Sequence, residues 1–143
     1  MTPEECLVVY GEAWFETDPQ RRLDLLRQCC TEDVLFVDPN LGRLRGLQAV
    51  SEMIGHYRGM MAGGESPARP SVARAAGRSG GGVTVDVVTG IDQLHGFFRY
   101  SFVWSLANGT RMGGTDFGEF AEDGRMRLIT VFPATPDFPV AGA

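Results

Sequence analysis

The sequence lacks the patterns that mark membrane, secreted and nucleic-acid-binding proteins. No apolar run in its 143 residues approaches the roughly 18 residues that a membrane-spanning helix needs. The first ten residues, MTPEECLVVY, carry acids where a secretory signal has a basic start. Thirteen basic and eighteen acidic residues give a net charge of −5 without a dense basic run, which disfavours binding to a phosphate backbone. We therefore expect a cytoplasmic protein with no membrane or nucleic-acid partner.

Cysteine and histidine are scarce, with three and two copies respectively. Cys6 stands alone and Cys29 and Cys30 are adjacent, which is not a spacing typical of metal ligands. An odd number of cysteines without a secretory signal favours reduced thiols, and we expect all three in the core. His56 and His95 are far apart and have no cysteine partner pattern. The sequence therefore predicts neither a metal site nor a cofactor.

The overall composition is that of a globular protein, with 43% hydrophobic and 22% charged residues. A chain of this length fits one domain and can bury about two thirds of its unfolded surface. The segments GGESPARP (63–70) and GRSGGG (77–82) predict loops that are too short to separate two domains. We expect one domain over 1–143, with its core at about 3–132 and a loosely attached tail at 133–143.

Apolar residues at helical spacing predict three helices in the first half of the chain. The first begins at a capping box formed by Thr2 and Glu5, and the second begins at the Asp18-Pro19 pair. The third covers about 47–61 and has apolar residues along one side.

The second half of the chain predicts a sheet. Residues 83–132 are rich in β-branched and aromatic side chains. Asn108-Gly109 and Asp123-Gly124 are strong hairpin turns within this region. Helices followed by an antiparallel sheet predict the α+β class, with the helices on one face of the sheet.

A carboxylate ends the strand that precedes the third helix. Val34 to Asp38 is a β-branched and aromatic run, and Pro39 prevents its regular continuation. Alternation places Asp38 on the same face as Val34 and Phe36, so an acid shares an apolar face where the strand becomes a loop. The alternative is a turn-forming Asp38 that accepts hydrogen bonds from backbone N–H groups of the loop.

A second carboxylate, Asp116, lies in mid-strand between Thr115 and Phe117, where a Val or Ile would be expected. We interpret this strand as part of a pocket wall with Asp116 directed into the pocket. A carboxyl group in an apolar pocket has its charged form disfavoured and can exchange a proton near neutral pH. The alternative is a structural pairing of Asp116 with Arg99, with Arg111 or with the backbone.

The segment HGFFRYSFVWSL (95–106) has an aromatic face and a more polar face. Period-two alternation puts on the first face Phe98, Tyr100, Phe102, Trp104 and Leu106, and on the second His95, Phe97, Arg99, Ser101, Val103 and Ser105. An inward aromatic face would line an apolar site and leave His95 and Arg99 on the outer or dimer surface. An inward polar face, or a bulge, would make His95 a proton-transfer group and Arg99 a clamp for an anionic substrate. The alternation does not decide between these two arrangements.

Three elements of the sequence, in this order, resemble those of the nuclear transport factor 2-like superfamily, in particular its SnoaL-like and ketosteroid-isomerase-like branches. They are the opening helix with an aromatic stripe, the segment VLFVDPNLGRLRG running into the third helix, and GTDFGEFAEDGRMRLITVF near the end. The resemblance covers about 3–132. It implies a cone-shaped, curved antiparallel sheet wrapped around about three helices, an enclosed apolar cavity and a homodimer.

The resemblance also implies roles for the two carboxylates. In the ketosteroid isomerases, the Asp before Pro on the first strand is the general base. An Asp on the strand before the Asp-Gly hairpin stays protonated and donates a hydrogen bond to the developing oxyanion. These two positions fall on Asp38 and Asp116. The polyketide cyclases of the superfamily likewise use an acidic residue in such a pocket as an acid or base.

The chain departs from two branches of the superfamily at recognisable positions. The isomerases also take an oxyanion donor from a Tyr of the first helix, where this sequence has Trp14, with Tyr10 one turn earlier. An indole N–H donates a hydrogen bond but does not share a proton as a phenol does. The limonene epoxide hydrolases need an Arg and an Asp two residues apart on a strand, whereas Arg99 is followed at that distance by Ser101. Steroid isomerisation and epoxide hydrolysis are therefore disfavoured.

Three functions are compatible with these observations. They are an isomerase, cyclase or hydratase-like lyase without metal or nucleotide, a non-catalytic protein that binds an apolar small molecule, and a dimerisation or interaction module. The candidate catalytic residues are Asp38 and Asp116, and the pair favours the enzyme. The candidate substrate-binding residues are Trp14, Tyr57, His95, Arg99, Phe102 and Trp104. The simplest alternative for Trp14, Tyr57 and Trp104 is an ordinary place in the core.

Overall fold

The computed structural model describes residues 1–62, 78–80 and 82–143. The predicted loop at 63–70 and part of the one at 77–82 lie outside the described residues. The three helices within them are α1 Pro3–Phe15, α2 Pro19–Cys29 and α3 Leu47–Ala62. None of these three is long and apolar enough to cross a membrane.

Side-chain hydrogen bonds begin the first two helices at the predicted residues. The Glu5 N–H donates to Thr2 Oγ1 at 3.1 Å and the Thr2 N–H to Glu5 Oε2 at 2.7 Å, which confirms the capping box. Asp18 caps α2, because its Oδ2 accepts from the Arg21 N–H at 3.0 Å. These bonds satisfy backbone N–H groups that have no partner inside the helix.

The described residues form eight strands, which are β1 Cys30–Asp38, β2 Gly42–Arg45, β3 Arg78–Gly80, β4 Val83–Val87, β5 Asp92–Leu94, β6 Phe97–Ser105, β7 Arg111–Phe120 and β8 Met126–Pro133. Seven of them follow one path in the order β2-β1-β8-β7-β6-β4-β3, and β5 pairs with the first residues of β6. The sheet is curved and does not close on itself. Together with the three helices it gives the predicted α+β class.

The sheet is mixed, because β1 and β8 are parallel neighbours while the other pairs are antiparallel. The sequence predicts an antiparallel sheet, so this one pair differs from the expectation. Parallel neighbours need a long connection, and here α3 and the strands from β2 to β7 supply it. Periodicity within one segment does not show which distant strand will lie beside it.

The helices cover one face of the sheet, which we call the inner face, and the opposite one the outer face. The core on the inner face includes Leu26, Phe36, Ile54, Phe98 and Ile129. All three cysteines are free and buried in this core, as predicted. The aromatic side chains of β6 also face inward, as the burial of Phe98, Tyr100 and Trp104 shows.

Two glycines shape the inner face of β7 on either side of Asp116. Three pairs of residues lie directly opposite each other between β6 and β7: Phe98 and Gly118, Tyr100 and Asp116, and Phe102 and Gly114. A Cβ at Gly114 would lie 2.8 Å from the Phe102 ring, and a Cβ at Gly118 would collide with the Phe98 ring. The absence of side chains at these two positions therefore lets aromatic rings of β6 close in beside Asp116.

The last residues of the chain contact the outer face of the sheet. Arg111 Nη1 donates to the carbonyl oxygen of Gly142 at 3.2 Å. The side chains of Val140 and Ala143 lie so close to Gly113 that a Cβ there would collide with Ala143. The sequence predicts a loose attachment for the segment 133–143. The last residues of this segment nevertheless pack against β7.

Candidate functional site

A cavity of about 370 Å³ lies between the helices and the inner face of the sheet. Its volume falls within the range of about 300–1,000 Å³ that is typical of small-molecule sites. Its walls are mainly aromatic and aliphatic and include Phe36, Phe102 and Trp104. The polar groups that interrupt these walls are the side chains of Tyr10, Asp38, Asn40, Tyr57, Tyr100 and Asp116.

Asp116 lies in the middle of β7 and is 5% exposed. The hydroxyl of Tyr100, directly opposite on β6, donates to its Oδ2 at 2.6 Å. The other oxygen, Oδ1, is buried and has no hydrogen-bond partner among the described residues. Burial raises the pKa of Asp116 to about 7, although the bond from Tyr100 acts in the opposite direction. Asp116 can therefore hold a proton near neutral pH and offer it from Oδ1.

Two buried phenols, Tyr10 and Tyr100, accompany Asp116. The pKa of each is raised well above its usual value, first by burial and then by the negative charge of Asp116. Both phenols therefore stay protonated, and the Tyr100 hydroxyl donates to Asp116. Neither was selected from the sequence as a functional residue. The signal was present for Tyr100, which shares its face of β6 with Phe102 and Trp104, and for Tyr10, which lies on the aromatic stripe of α1.

Asp38 ends β1 at the cavity and is 6% exposed. Its Oδ2 accepts three hydrogen bonds, from the Asn40 N–H at 2.9 Å, the Leu41 N–H at 2.7 Å and the Tyr57 hydroxyl at 2.7 Å. The bonds that the described residues donate to this carboxylate all go to Oδ2. Asp38 therefore has two roles. It forms the turn, as its position before Pro39 allows, and it lies on the cavity wall.

The alternative pairing of Asp116 with an arginine is wrong. Arg99 forms an ion pair with Asp92 of β5, with Nε and Oδ2 2.8 Å apart. Arg111 donates to a carbonyl at the end of the chain. Both arginines point away from Asp116 because side chains alternate between the faces of a strand.

Four of the six predicted substrate-binding residues line the cavity, and they are Trp14, Tyr57, Phe102 and Trp104. The rings of Trp14 and Trp104 lie 5.5 Å apart between centroids, so α1 and β6 meet at this wall. Residues missed by the sequence analysis include Asn40 on the same cavity. Its position two residues after Asp38, in a turn, is the only local signal for it.

His95 and Arg99 do not line the cavity, and their prediction as substrate-binding residues is wrong. Arg99 lies on the outer face with 68% of its side chain exposed. His95 is exposed in the turn between β5 and β6, where its φ of 49° is left-handed. The aromatic face of β6 is the inward one because the apolar rings are buried against the helices, and alternation then sends Arg99 to the outside.

No cluster of three or more His, Cys, Asp or Glu side chains with the geometry of a metal site occurs among the described residues.

Comparison with known proteins identifies the fold. No protein-family model and no curated protein matches the chain. A candidate isomerase of the SnoaL-like family from Agrobacterium tumefaciens is 25% identical, with a TM-score of 0.67 over 89% of this chain and 92% of that one. A protein with a ketosteroid isomerase-like fold from Catenulispora acidiphila, in complex with trimethylamine, is 14% identical, with a TM-score of 0.61 over 92% and 86% of the two chains.

An NTF2-like protein of unknown function from Exiguobacterium is 15% identical, with a TM-score of 0.56 over 90% of this chain and 97% of that one. The fold is therefore that of the nuclear transport factor 2-like superfamily, as the sequence resemblance implies, with SnoaL-like and ketosteroid-isomerase-like proteins among its structural neighbours.

Proposed function

We propose that the protein binds an uncharged, largely apolar carbonyl compound in the cavity and catalyses proton transfer on it, as an isomerase or cyclase does. The observation that carries this proposal is the state of Asp116. Asp116 lines the cavity, its Oδ1 is buried without a hydrogen-bond partner among the described residues, and burial raises the pKa of Asp116 to about 7. A protonated carboxyl group in an apolar site is a strong donor to an oxygen on which negative charge develops.

The charges of the lining support an uncharged ligand. The described lining residues include two carboxylates and no Arg, Lys or His. A carboxylate or phosphate ligand would lose its hydration in this cavity without gaining a counterion, which is costly. A carbonyl oxygen needs only a hydrogen-bond donor, and Asp116 supplies one.

The two carboxylates then divide the work between base and acid. Asp38 takes a proton from the carbon next to the carbonyl group, and the electron pair of that C–H bond forms the enolate. The enolate oxygen accepts a hydrogen bond from the Asp116 carboxyl group, which lowers the energy of the intermediate. In a ligand with a C=C bond conjugated to the enolate, Asp38 returns the proton to the far carbon of that bond, so the C=C bond moves, the product is an isomer and the protein is regenerated.

The test uses 2-tetralone, a small fused-ring ketone with acidic α-hydrogens. We expect the protein to accelerate exchange of these hydrogens in D2O, measured by 1H NMR, with saturation as the ketone concentration rises. 2-Naphthol, which has the shape of the enol, is expected to inhibit the exchange competitively. An exchange rate equal to that in buffer, with the ketone bound, would contradict catalysis.

A second candidate function is non-catalytic binding of an apolar small molecule. The packed rings of Trp14 and Trp104 favour it, because they offer binding surface and no proton-transfer group. Binding of 2-tetralone without exchange is the outcome that selects this function. If neither binding nor exchange is observed, the result favours a role as an interaction module.

We also infer a homodimer from the resemblance, and the outer face of the sheet supports the inference. Phe97 and Phe117 stack there with their centroids 5.7 Å apart and remain 39% and 37% exposed, and Phe132 is 58% exposed. Exposed aromatic clusters are typical of interfaces. Sedimentation equilibrium of the protein and of Phe117→Arg tests this, with dissociation to a monomer expected for the variant.

A further inference from the structure

A chain of three side chains leads to Asp38 from the rim of the cavity, and the mechanism above does not use two of its members. Tyr57 of α3 donates its hydroxyl proton to Asp38 Oδ2 at 2.7 Å. Asn40, in the turn between β1 and β2, donates from Nδ2 to the Tyr57 hydroxyl oxygen at 3.2 Å. The three residues therefore connect a helix, a strand end and a turn.

The direction of this chain follows from the chemistry of its members. A tyrosine hydroxyl has one proton, and an ionised carboxylate can only accept. The Tyr57 proton therefore lies toward Asp38, and the hydroxyl oxygen is left as an acceptor. Asn40 must direct its NH2 group toward the Tyr57 hydroxyl oxygen. The side-chain carbonyl oxygen of Asn40 could not accept a hydrogen bond there, because the only proton of the Tyr57 hydroxyl already points to Asp38.

The chain fixes the carboxylate of Asp38 in one orientation. Two donors to Oδ2 are backbone N–H groups of the turn, and the third comes from a different element of the fold. Donors from two elements on one oxygen restrict rotation of the carboxyl group. The second oxygen, Oδ1, is then the one available to a ligand.

We propose that Tyr57, held by Asn40, is a positioning residue that keeps the carboxyl group of Asp38 oriented with Oδ1 available to accept a proton from the ligand. The inference rests on the proposed function for its catalytic consequence. Its structural basis, the directed chain, can be tested without any reaction.

The first experiment measures the titration of the Tyr57 phenol. Its pKa is raised by burial and by the bond to Asp38, while the bond from Asn40 lowers it. Substituting 3-fluorotyrosine at this position lets 19F NMR follow this phenol alone, and the fluorine brings the titration to milder pH. We expect Asp38→Asn to lower the phenol pKa and Asn40→Ala to raise it.

Opposite shifts in the two variants support the directed chain, and shifts in the same direction or no shifts overturn it. Among the described residues, the titratable groups in contact with Tyr57 are Asp38 and His56, whose ring centroid lies 5.5 Å from that of Tyr57. His56→Gln in the same background is the control. It should leave the difference between the Asp38→Asn and Asn40→Ala variants unchanged.

The second experiment measures the consequence for the reaction. Tyr57→Phe keeps the ring and removes the hydroxyl, so we expect 2-tetralone exchange to slow by about tenfold while the dissociation constant of the ketone stays within about twofold. Adding Tyr57→Phe to Asp38→Asn should give no further loss, because Tyr57 acts through Asp38. Full activity of Tyr57→Phe would overturn the proposal, as would a loss that appears only in affinity.

The two experiments separate this inference from the proposed function. If the unmodified protein gives no exchange, the proposed function fails, and the phenol titrations still decide whether the directed chain exists. If exchange is observed but the phenol does not respond to Asp38→Asn, the chain fails and the proposed function stands.

Discussion

The two carboxylates of the cavity have almost the same exposure, 6% for Asp38 and 5% for Asp116, yet their surroundings differ. Asp38 ends a strand where the chain turns, and three donors converge on one of its oxygens. Asp116 lies in mid-strand between two glycines, and one phenol donates to it. Solvent exposure therefore does not distinguish a base from an acid in this cavity. What differs is the number of hydrogen bonds that each carboxyl group receives, three for Asp38 and one for Asp116.

The largest expected effect is on the base. Asp38→Asn keeps the shape of the side chain and removes its ability to accept a proton. We expect the 2-tetralone exchange rate to fall by about 10²–10⁴-fold, measured by 1H NMR, with binding of the ketone retained. Asp33→Asn, an exposed position on the same strand, is the matched control and should exchange at the rate of the unmodified protein. Equal rates in both variants would contradict the assignment of the base.

The next prediction concerns the acid and the stability of the fold. The pKa of Asp116 is about 7 in the folded protein, against a usual value of 3.8. Below pH 4 the carboxyl group is protonated in both the folded and the unfolded state, so its titration does not lower the free energy of unfolding. Between pH 4 and 7 only the unfolded state releases the proton, so stability falls as pH rises. Above pH 7 the titration of Asp116 has lowered the free energy of unfolding by about 4 kcal/mol in total.

Asp116→Asn removes this titration while keeping a side chain of the same size. We expect the free energy of unfolding of the variant to exceed that of the unmodified protein at pH 8, with the difference disappearing near pH 4. Urea unfolding at pH 4, 6 and 8 measures it. A difference that does not change with pH would show that Asp116 keeps an ordinary acidity.

A smaller effect is expected at the aromatic wall of the cavity that both carboxylates line. Trp104→Phe removes part of the surface against which an apolar ligand packs, so we expect the dissociation constant of 2-tetralone to rise by about tenfold. Tryptophan fluorescence or calorimetry measures it. Leu94→Ala, on the exposed strand β5, is the control and should bind normally. An unchanged affinity for Trp104→Phe would place the ligand elsewhere.

The smallest effect is expected on the outer face. Arg99→Gln breaks an exposed ion pair with Asp92, and such pairs contribute about 0–1 kcal/mol. We expect unchanged affinity and unchanged exchange, and a melting temperature within a few degrees. A marked loss of ligand binding in this variant would mean that the polar face of β6 reaches the ligand after all.

The positions of the two carboxylates could be predicted from the sequence because each breaks a local rule. Asp38 shares an alternating face with apolar residues, and Asp116 occupies a mid-strand position that favours Val or Ile. The orientation of β6 could not be predicted, because alternation separates two faces without showing which one the helices will cover. The assignment of His95 and Arg99 failed for this reason.

The contact between Tyr100 and Asp116 could not be predicted from the sequence. A two-residue Asn108-Gly109 turn would place Tyr100 opposite Phe117, whereas the loop contains three residues, 107–109, and this shift by one residue places Tyr100 opposite Asp116. The chain from Asn40 through Tyr57 to Asp38 could not be predicted either, because it depends on how α3 docks against the end of β1. The parallel pairing of β1 and β8 also depends on the whole fold.

The alternation of glycine and aspartate in β7 has a consequence for how the acidity of this site can change. Gly114 and Gly118 leave room for the Phe102 and Phe98 rings beside Asp116. The exclusion of water from this carboxyl group therefore depends on residues that carry no charge. A methyl group at Gly114 would displace the Phe102 ring, whereas one at Gly118 would collide with the Phe98 ring and also with the backbone carbonyl oxygen of Leu128. The strength of the acid can therefore be tuned, by selection or by design, without altering the acid itself.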